Sequence, residues 1–173
     1  MSRRDRAKAA LTAICVAAVG LSLQAGVAAW GAPLTIAVAD FDYVDTSGEA
    51  RDQSAEHKAR LVKFAELVRE NLSARGDYRV LSFECSKHPC TPISMHPDDF
   101  IAAARRSGAR FVVYGGIRKM STLVQWGDVE LLDLENEKLL LKRTVSFRGD
   151  NEEAFSRAAA FVGDTVADAL AGR

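Results

Sequence analysis

The chain has 173 residues, 48% of them hydrophobic, and its 23 basic and 23 acidic residues give a formal net charge of zero. A chain of this length suits one globular domain with its own core. The even charge balance excludes the strongly basic surface that is typical of nucleic-acid-binding proteins. The charge is nevertheless unevenly distributed, because Arg3, Arg4, Arg6 and Lys8 all lie at the amino terminus.

The amino terminus has the layout of a secretory signal peptide. The basic residues precede an uncharged run at residues 9–23, and Val27 and Ala29 then supply small residues at the −3 and −1 positions of a cleavage before Trp30. The uncharged run is shorter than the roughly 20 residues that cross a bilayer as a helix. A cleaved signal peptide is therefore favoured, and an uncleaved membrane anchor is the alternative.

Cleavage would divide the chain into a signal peptide, residues 1–29, and a single α/β domain, residues 30–173. It would remove four basic residues and Asp5 from 23 residues of each sign, which leaves 19 basic and 22 acidic residues and a net charge of −3. We expect this domain in the periplasm, with no nucleic-acid partner, no cofactor and no stable membrane span after cleavage. The sequence leaves the oligomeric state open.

Hydrophobic periodicity predicts eight elements in the domain. In chain order they are a strand at 34–43, a helix at 54–75, a strand at 78–83, a helix that begins at Pro97 and is ended by Gly108, a strand at 110–117, strands near 123–134 and 138–147, and a final helix after Asp150. Short β-α units followed by a hairpin and a helix predict one domain with a mixed sheet of about five strands and three helices packed on it.

Local signals predict helix caps, a turn and the faces of the first strand. Ser54 is the expected N-cap of the first helix, Asp150 and Glu153 the expected capping box of the last, and Asn136 the expected left-handed residue of the hairpin turn. His57 is expected on the polar side of the first helix and is assigned no role. Alternation in the first strand predicts Ile36, Val38 and Asp40 on one face and Ala37, Ala39 and Phe41 on the other.

The stretch TIAVADFDYVDTSGE, residues 35–49, places Asp40, Asp42 and Asp45 directly after an apolar run and makes them a candidate polar cluster. The spacing of the first two resembles the nucleophile motif of haloacid-dehalogenase-type phosphatases. That resemblance implies that Asp40 attacks phosphorus, that Asp42 is the acid and base, and that Mg²⁺ offsets the charge. The run GDTVAD, residues 163–168, is similar to the late acidic motif of that superfamily.

Three features count against a phosphatase. Residues 163–168 fall inside the predicted last helix, whereas the late motif belongs in a loop after a strand. No Ser or Thr ends an apolar strand with a later Lys, and the domain is short for that fold. We therefore predict no catalytic residues, and a periplasmic metal-dependent phosphatase that uses Asp40 and Asp42 is the alternative. Asp42 and Asp45 are expected in a loop at the edge of the strand, and Asp40 is expected to bind a turn, a helix N-terminus or a basic residue.

The segment CSKHPC contains the two cysteines of the exported domain, Cys85 and Cys90. Paired cysteines in an oxidising compartment usually form a disulfide, and this one would close a short loop. An alternative is a copper or zinc site in residues 85–96, because His88, Met95 and His96 add further ligand types. No established metal motif has this spacing, so the disulfide is favoured and metal binding remains the alternative.

Several stretches resemble the TolB amino-terminal domain and the related CsgG-like family: IAVADF, GDYRVLS, SGARFVVYGGI and VELLDLENEKLL, spread over residues 34–171. The helix RLVKFAELVRENL, with the stretches around it, also resembles a family of secreted bacterial proteins that carries only a domain-of-unknown-function label. Members of the TolB and CsgG-like families are envelope-assembly or partner-binding modules rather than enzymes. The resemblance therefore implies a non-catalytic periplasmic module that binds an envelope protein.

Overall fold

The computed structural model describes residues 32–85 and 88–172. The predicted signal peptide, residues 1–29, and its cleavage site lie outside the described residues. Within the described part, no helix is both long enough and apolar enough to cross a membrane.

Five strands form one mixed sheet in the order β2-β1-β3-β4-β5. In chain order the elements are β1 (Leu34–Asp45), α1 (Ser54–Ser73), β2 (Tyr78–Leu81), α2 (Pro97–Arg106), β3 (Phe111–Lys119), β4 (Val124–Asp133), β5 (Lys138–Arg148) and α3 (Glu152–Ala171). Strand β1 is parallel to β2 and β3, whereas β3, β4 and β5 are antiparallel neighbours. The predicted fold class, a single α/β domain with a five-stranded mixed sheet and three helices, is confirmed.

The helices divide the core between the two faces of the sheet. Helices α1 and α3 cover one face, where Phe64, Val68 and Val162 join the larger hydrophobic cluster. Helix α2 covers part of the other face, where Phe100 packs in a smaller cluster with Ala37. The hydrophobic periodicity from which the three helices are predicted thus belongs to the faces that they bury.

A bulge in β1 changes which side chains share a face. The register of β1 against β3 shifts between Val38 and Phe41. A bulge inserts one extra residue into a strand, so the alternation of side chains restarts after it. Phe41 therefore lies with Val38 in the larger core, and the prediction that it shares a face with Ala37 is wrong. Gly115 lies beside Phe41 on β3, where a Cβ atom would come within 1.9 Å of the Asp128 carbonyl oxygen, so the close packing of β3 on β4 requires glycine.

Strand β2 is shorter than predicted and leaves part of the edge of β1 uncovered. It pairs with β1 only over Leu34 to Ala37, and Phe83, predicted in the strand, packs edge-on against Phe100 with ring centroids 5.3 Å apart. The four residues of β2 span about 13 Å, whereas the 20 residues of α1 span about 30 Å. The amino-terminal half of α1 therefore extends beyond the end of β2.

The N-termini of α1 and α3 differ from the predicted caps. Ser54 is the first helical residue of α1, and its backbone N–H donates to the Asp52 carboxylate at 2.9 Å. At α3, Asn151 is the N-cap and accepts from the backbone N–H of Ala154 at 2.9 Å. The predicted capping box of Asp150 and Glu153 is wrong, because the Asp150 side chain is bound to residues of other elements.

The hairpin between β4 and β5 has its left-handed residue one position later than predicted. Glu137, not Asn136, has a positive φ of 53°. The side-chain amide of Asn136 donates to Asp133 at 2.9 Å, and Asp133 also accepts the backbone N–H groups of Glu135 and Asn136. This buried carboxylate organises the turn.

Candidate functional site

A groove of about 1120 Å³ lies beside the carboxyl-terminal half of β1. It is lined by the end of β1, the loop that leads to α1, the first turns of α1, and His88 and Pro89. The last two belong to the segment from Cys85 to Thr91, which we call the cysteine loop. Phe41, Tyr43 and Val62 contribute apolar surface. The groove thus lies where β2 would run if it continued along β1. We refer to this cavity as the groove.

Asp40 ties the end of β1 to the cysteine loop. Its Oδ2 accepts the backbone N–H of Cys90 at 2.8 Å and lies 3.3 Å from Nδ1 of His88. Its Oδ1 is 3.7 Å from the Arg69 guanidinium, which also donates two hydrogen bonds to the Val38 carbonyl. Asp40 therefore has the partners expected for it, a turn and a basic residue.

Asp42 is bound to the same loop but keeps one oxygen without a described partner. Its Oδ1 accepts the hydroxyl of Thr91 at 2.7 Å, and Thr91 is fully buried. Burial raises the pKa of Asp42, and the hydrogen bond from Thr91 opposes that rise only in part. Asp42 is thus a half-buried carboxylate on which a cationic group would be stabilised.

Asp42 and Asp45 both lie within β1, so the expectation that they lie in a loop is wrong. Asp45, the last residue of the strand, faces the turn that follows it. It accepts the backbone N–H of Ser47 at 2.8 Å and the hydroxyl of the same residue at 2.6 Å, and these bonds lower its pKa. The three aspartates of the predicted polar cluster thus line one groove but are held by different partners, Asp40 and Asp42 by the cysteine loop and Asp45 by the loop that follows β1.

A second polar cluster lies on the α1 and α3 side of the sheet, next to the groove. The Nζ atom of Lys119, a residue with no exposed side-chain surface, donates to Asp150 at 2.7 Å and to Glu49. His57 Nε2 lies 2.9 Å from the same Asp150, which also accepts from Arg60. We call these five residues the Lys119 cluster. It joins β3, α1, the loop before α1 and Asp150, which lies between β5 and α3.

The charges of the Lys119 cluster stabilise one another. Burial alone would lower the pKa of Lys119, but its bonds to Asp150 and Glu49 outweigh that effect and raise it. Burial alone would likewise raise the pKa of Asp150, but hydrogen bonds from His57 and Lys119 lower it. Lys119 and Asp150 are therefore held in their charged forms at neutral pH. The cluster fixes one wall of the groove, because Glu49 and His57 also line it.

Sequence reasoning missed the Lys119 cluster. His57 was expected on the polar side of its helix, and this is wrong, since only 2% of it is exposed and its ring lies 4.5 Å from that of Tyr43. Lys119 could have been found, because it continues the inward-facing positions Phe111, Val113 and Ile117 of its strand. A lysine at an inward position needs a carboxylate partner, although the pattern does not say which.

The cysteine loop forms a platform for the groove. Cys85 and Cys90 form a disulfide, with Cα atoms 5.7 Å apart. The alternative ligands of the predicted metal site have separate partners: His88 faces Asp40, Met95 packs in the smaller core, and His96 caps α2 by accepting from the Asp98 N–H. Among the described residues, no group of three or more His, Cys, Asp or Glu side chains has a geometry that could hold a metal ion.

The second motif of the phosphatase hypothesis lies away from the first. Residues 163–168 are within α3, where Asp164 pairs with Arg75 and Gly163 is buried against α1. A metal-bound phosphate at Asp40 and Asp42 would need an acidic loop at the ends of the strands. Residues 163–168 lie in a helix and do not supply that loop.

Comparison with known proteins supports the fold. The structure is similar to TolB from Acinetobacter baumannii, with a TM-score of 0.50 and 17% identity over 81% of this chain, which spans only 29% of that protein. It is also similar to the hypothetical protein CT253 from Chlamydia trachomatis, with a TM-score of 0.57 and 12% identity over 82% of this chain and 100% of the other. The predicted TolB-like fold is confirmed. A search of curated proteins gives no match.

The family is shown by the sequence itself. Residues 34–165, which include every strand and most of α3, match a family described as "Protein of unknown function (DUF2380)". The expectation of a family without an assigned function is thereby confirmed. The chain belongs to this family of unknown function.

Proposed function

We propose that this protein is a non-catalytic module of the bacterial envelope that binds a partner protein in the groove. The observation that carries the proposal is the groove itself, an open cavity with apolar and acidic walls at the carboxyl end of β1. Ligands of α/β sheets bind preferentially at the carboxyl ends of the strands. The site is thus in the usual place for recognition on such a sheet.

The state of the carboxylates supports binding rather than catalysis. Asp40 and Asp42, the residues that a phosphatase would use, accept hydrogen bonds from Cys90 and Thr91 of one loop. Such bonds fix the direction of a carboxylate and suit it to recognise a donor. The same bonds reduce the freedom of Asp40 to attack a substrate.

The proposed location of the protein in the periplasm rests on its sequence. The predicted signal peptide directs the chain to an oxidising compartment, where the Cys85–Cys90 disulfide is stable. The TolB-like fold agrees with an envelope role through the resemblance of the sequence to that family. Together these features favour the periplasm.

Capture from an envelope extract tests this function. Immobilised wild-type protein would be compared with Val62→Tyr, which fills the groove, and with Leu123→Tyr, a control at an exposed residue outside it. We expect one envelope protein to be retained by wild type and by Leu123→Tyr and lost from Val62→Tyr. Retention by all three, or by none, would contradict a partner site in the groove.

The same preparations would be tested for Mg²⁺-dependent phosphatase activity alongside Asp40→Asn and Asp42→Asn. We expect no turnover from any of them. Turnover that wild type shows and either variant abolishes would overturn the proposal, because it would identify the end of β1 as an active site.

A further inference from the structure

The edge of β1 inside the groove is open for pairing. Strand β2 ends at Leu81, which pairs with Ala37, so none of the described strands lies along β1 from Val38 to Asp45 on that side. An unpaired strand edge offers a row of backbone N–H and C=O groups to another chain. The carbonyl group of Val38 is already occupied, because it accepts two hydrogen bonds from Arg69.

The direction of the backbone groups follows from the ladder with β3. The N–H of Thr46 donates to the Lys119 carbonyl at 2.9 Å and therefore points toward β3. Successive residues of a strand direct their backbone groups to alternate sides. Asp45, Tyr43 and Phe41 thus direct theirs away from β3, but Phe41 is only 3% exposed, so residues 43–45 carry the accessible part of this edge. This part is about 10 Å long at about 3.3 Å per residue.

The walls of the groove complement a basic chain. Five carboxylates line it, but Asp40 lies 3.7 Å from Arg69 and Glu49 is bonded to Lys119. Asp42, Asp45 and Asp52 remain to balance the lining cations Arg51 and Lys58. Asp42 has one oxygen without a described partner, and it stands beside the open edge. On the α1 side, Leu61 and Val62 add apolar surface above Tyr43. An extended chain with alternating side chains would place basic groups toward the carboxylates and apolar groups toward α1.

We propose that the groove takes an extended, basic segment of the partner protein, which adds to the sheet as a short strand beside residues 43–45 of β1, beyond the end of β2. This inference rests on the proposed function and specifies the chemistry of the partner. Backbone pairing supplies affinity that does not depend on the peptide sequence, and the acidic wall favours peptides with basic side chains. A cavity of 1120 Å³ has room for a short extended peptide.

The test is a selection of random peptides displayed on phage against the purified protein at physiological salt. We expect enriched sequences that alternate basic and apolar residues. A synthetic peptide of the consensus sequence should bind wild-type protein and slow amide exchange at Tyr43 and Asp45. The same peptide, N-methylated at alternate residues so that it cannot pair as a strand, should bind at least roughly tenfold more weakly.

A matched pair of variants locates the binding. Asp42→Asn should weaken the consensus peptide roughly tenfold, whereas Asp98→Asn, at an exposed aspartate of α2 outside the groove, should leave it unchanged. Acidic or neutral consensus sequences would overturn strand addition. So would a peptide affinity that stays the same after N-methylation or after Asp42→Asn. If Val62→Tyr still abolishes capture from the envelope, the proposed function survives that result. If wild-type protein captures no envelope protein, that result would contradict the proposed function and this inference together.

Discussion

The Lys119 cluster and the carboxylates of the groove lie at the same end of the sheet, yet they differ in almost every physical respect. Lys119 is fully buried, and its charge is matched by Asp150 and Glu49. Asp40 and Asp42 are partly exposed and are bonded mainly to one loop, and Arg69 lies 3.7 Å from Asp40. The difference indicates that the Lys119 cluster stabilises the wall of the groove, whereas Asp40 and Asp42 present negative charge to a ligand.

The comparison predicts that the Lys119 cluster gives the largest effect on stability. Lys119→Met would leave Glu49 and Asp150 as buried carboxylates without their shared cation, and breaking such a pair costs about 3–5 kcal/mol of unfolding free energy. Urea denaturation measures it. The control is Lys142→Met, which removes an exposed lysine 2.9 Å from Glu130 and should cause no measurable change. Equal effects of the two substitutions would contradict the structural role of the cluster.

The pH dependence of stability should reveal Asp150. Because its pKa is lowered in the folded state, it contributes stability above its unfolded pKa of about 4, and this contribution is lost as the pH falls through the folded pKa. The unfolding free energy of wild type should therefore exceed that of Asp150→Asn most at neutral pH, and the gap should narrow below about pH 4. Urea midpoints measured across this range test it, and a gap that widens in acid would refute it.

Removal of the disulfide should have an intermediate effect on stability and a clear effect on the groove. The Cys85→Ser, Cys90→Ser double variant loses a cross-link of short loop length, which is expected to cost about 2 kcal/mol. Because Cys90 donates to Asp40, the variant should also bind the consensus peptide more weakly. Thermal unfolding with and without reductant is the measurement. Peptide affinity that is unchanged in a folded double variant would show that the loop does not orient the carboxylates.

The smallest effect on stability is expected from Asp42→Asn. The amide keeps an oxygen for the Thr91 hydroxyl, and burial already disfavours the charged form, so the unfolding free energy should change by less than about 1 kcal/mol. Partner capture should nevertheless fall. This separation of stability from binding is what distinguishes the groove carboxylates from the Lys119 cluster. A large loss of stability would place Asp42 with the structural residues.

The element order was predictable because it depends on periodicity within each segment. The stripe of α1 and the alternation of β4 and β5 are local patterns, and the burial of Phe64 and Val129 follows them. The bulge in β1 was not predictable in this way, because it depends on pairing with β3, some seventy residues later. One inserted residue reversed the expected face of Phe41.

The site was predictable only in part, for the same reason. The aspartates of β1 stand out in the sequence, and the expectation that Asp40 binds a turn or a basic residue agrees with its contacts to Cys90 and Arg69. The Lys119 cluster is assembled from residues 49, 57, 60, 119 and 150, which no sequence spacing connects. Strand β2 ends at Leu81, and Phe83 packs against Phe100 of α2, a contact between distant residues that the local strand pattern does not predict.

The most direct test of the recognition site is photo-cross-linking in intact cells. A benzophenone amino acid would replace Val62 in the groove or, as the control, Leu123 at the turn between β3 and β4. We expect irradiation to join one envelope protein to position 62 and not to position 123, and we expect Asp42→Asn to reduce the adduct. An adduct from position 123 alone, or equal adducts from both positions, would contradict a partner site beside β1.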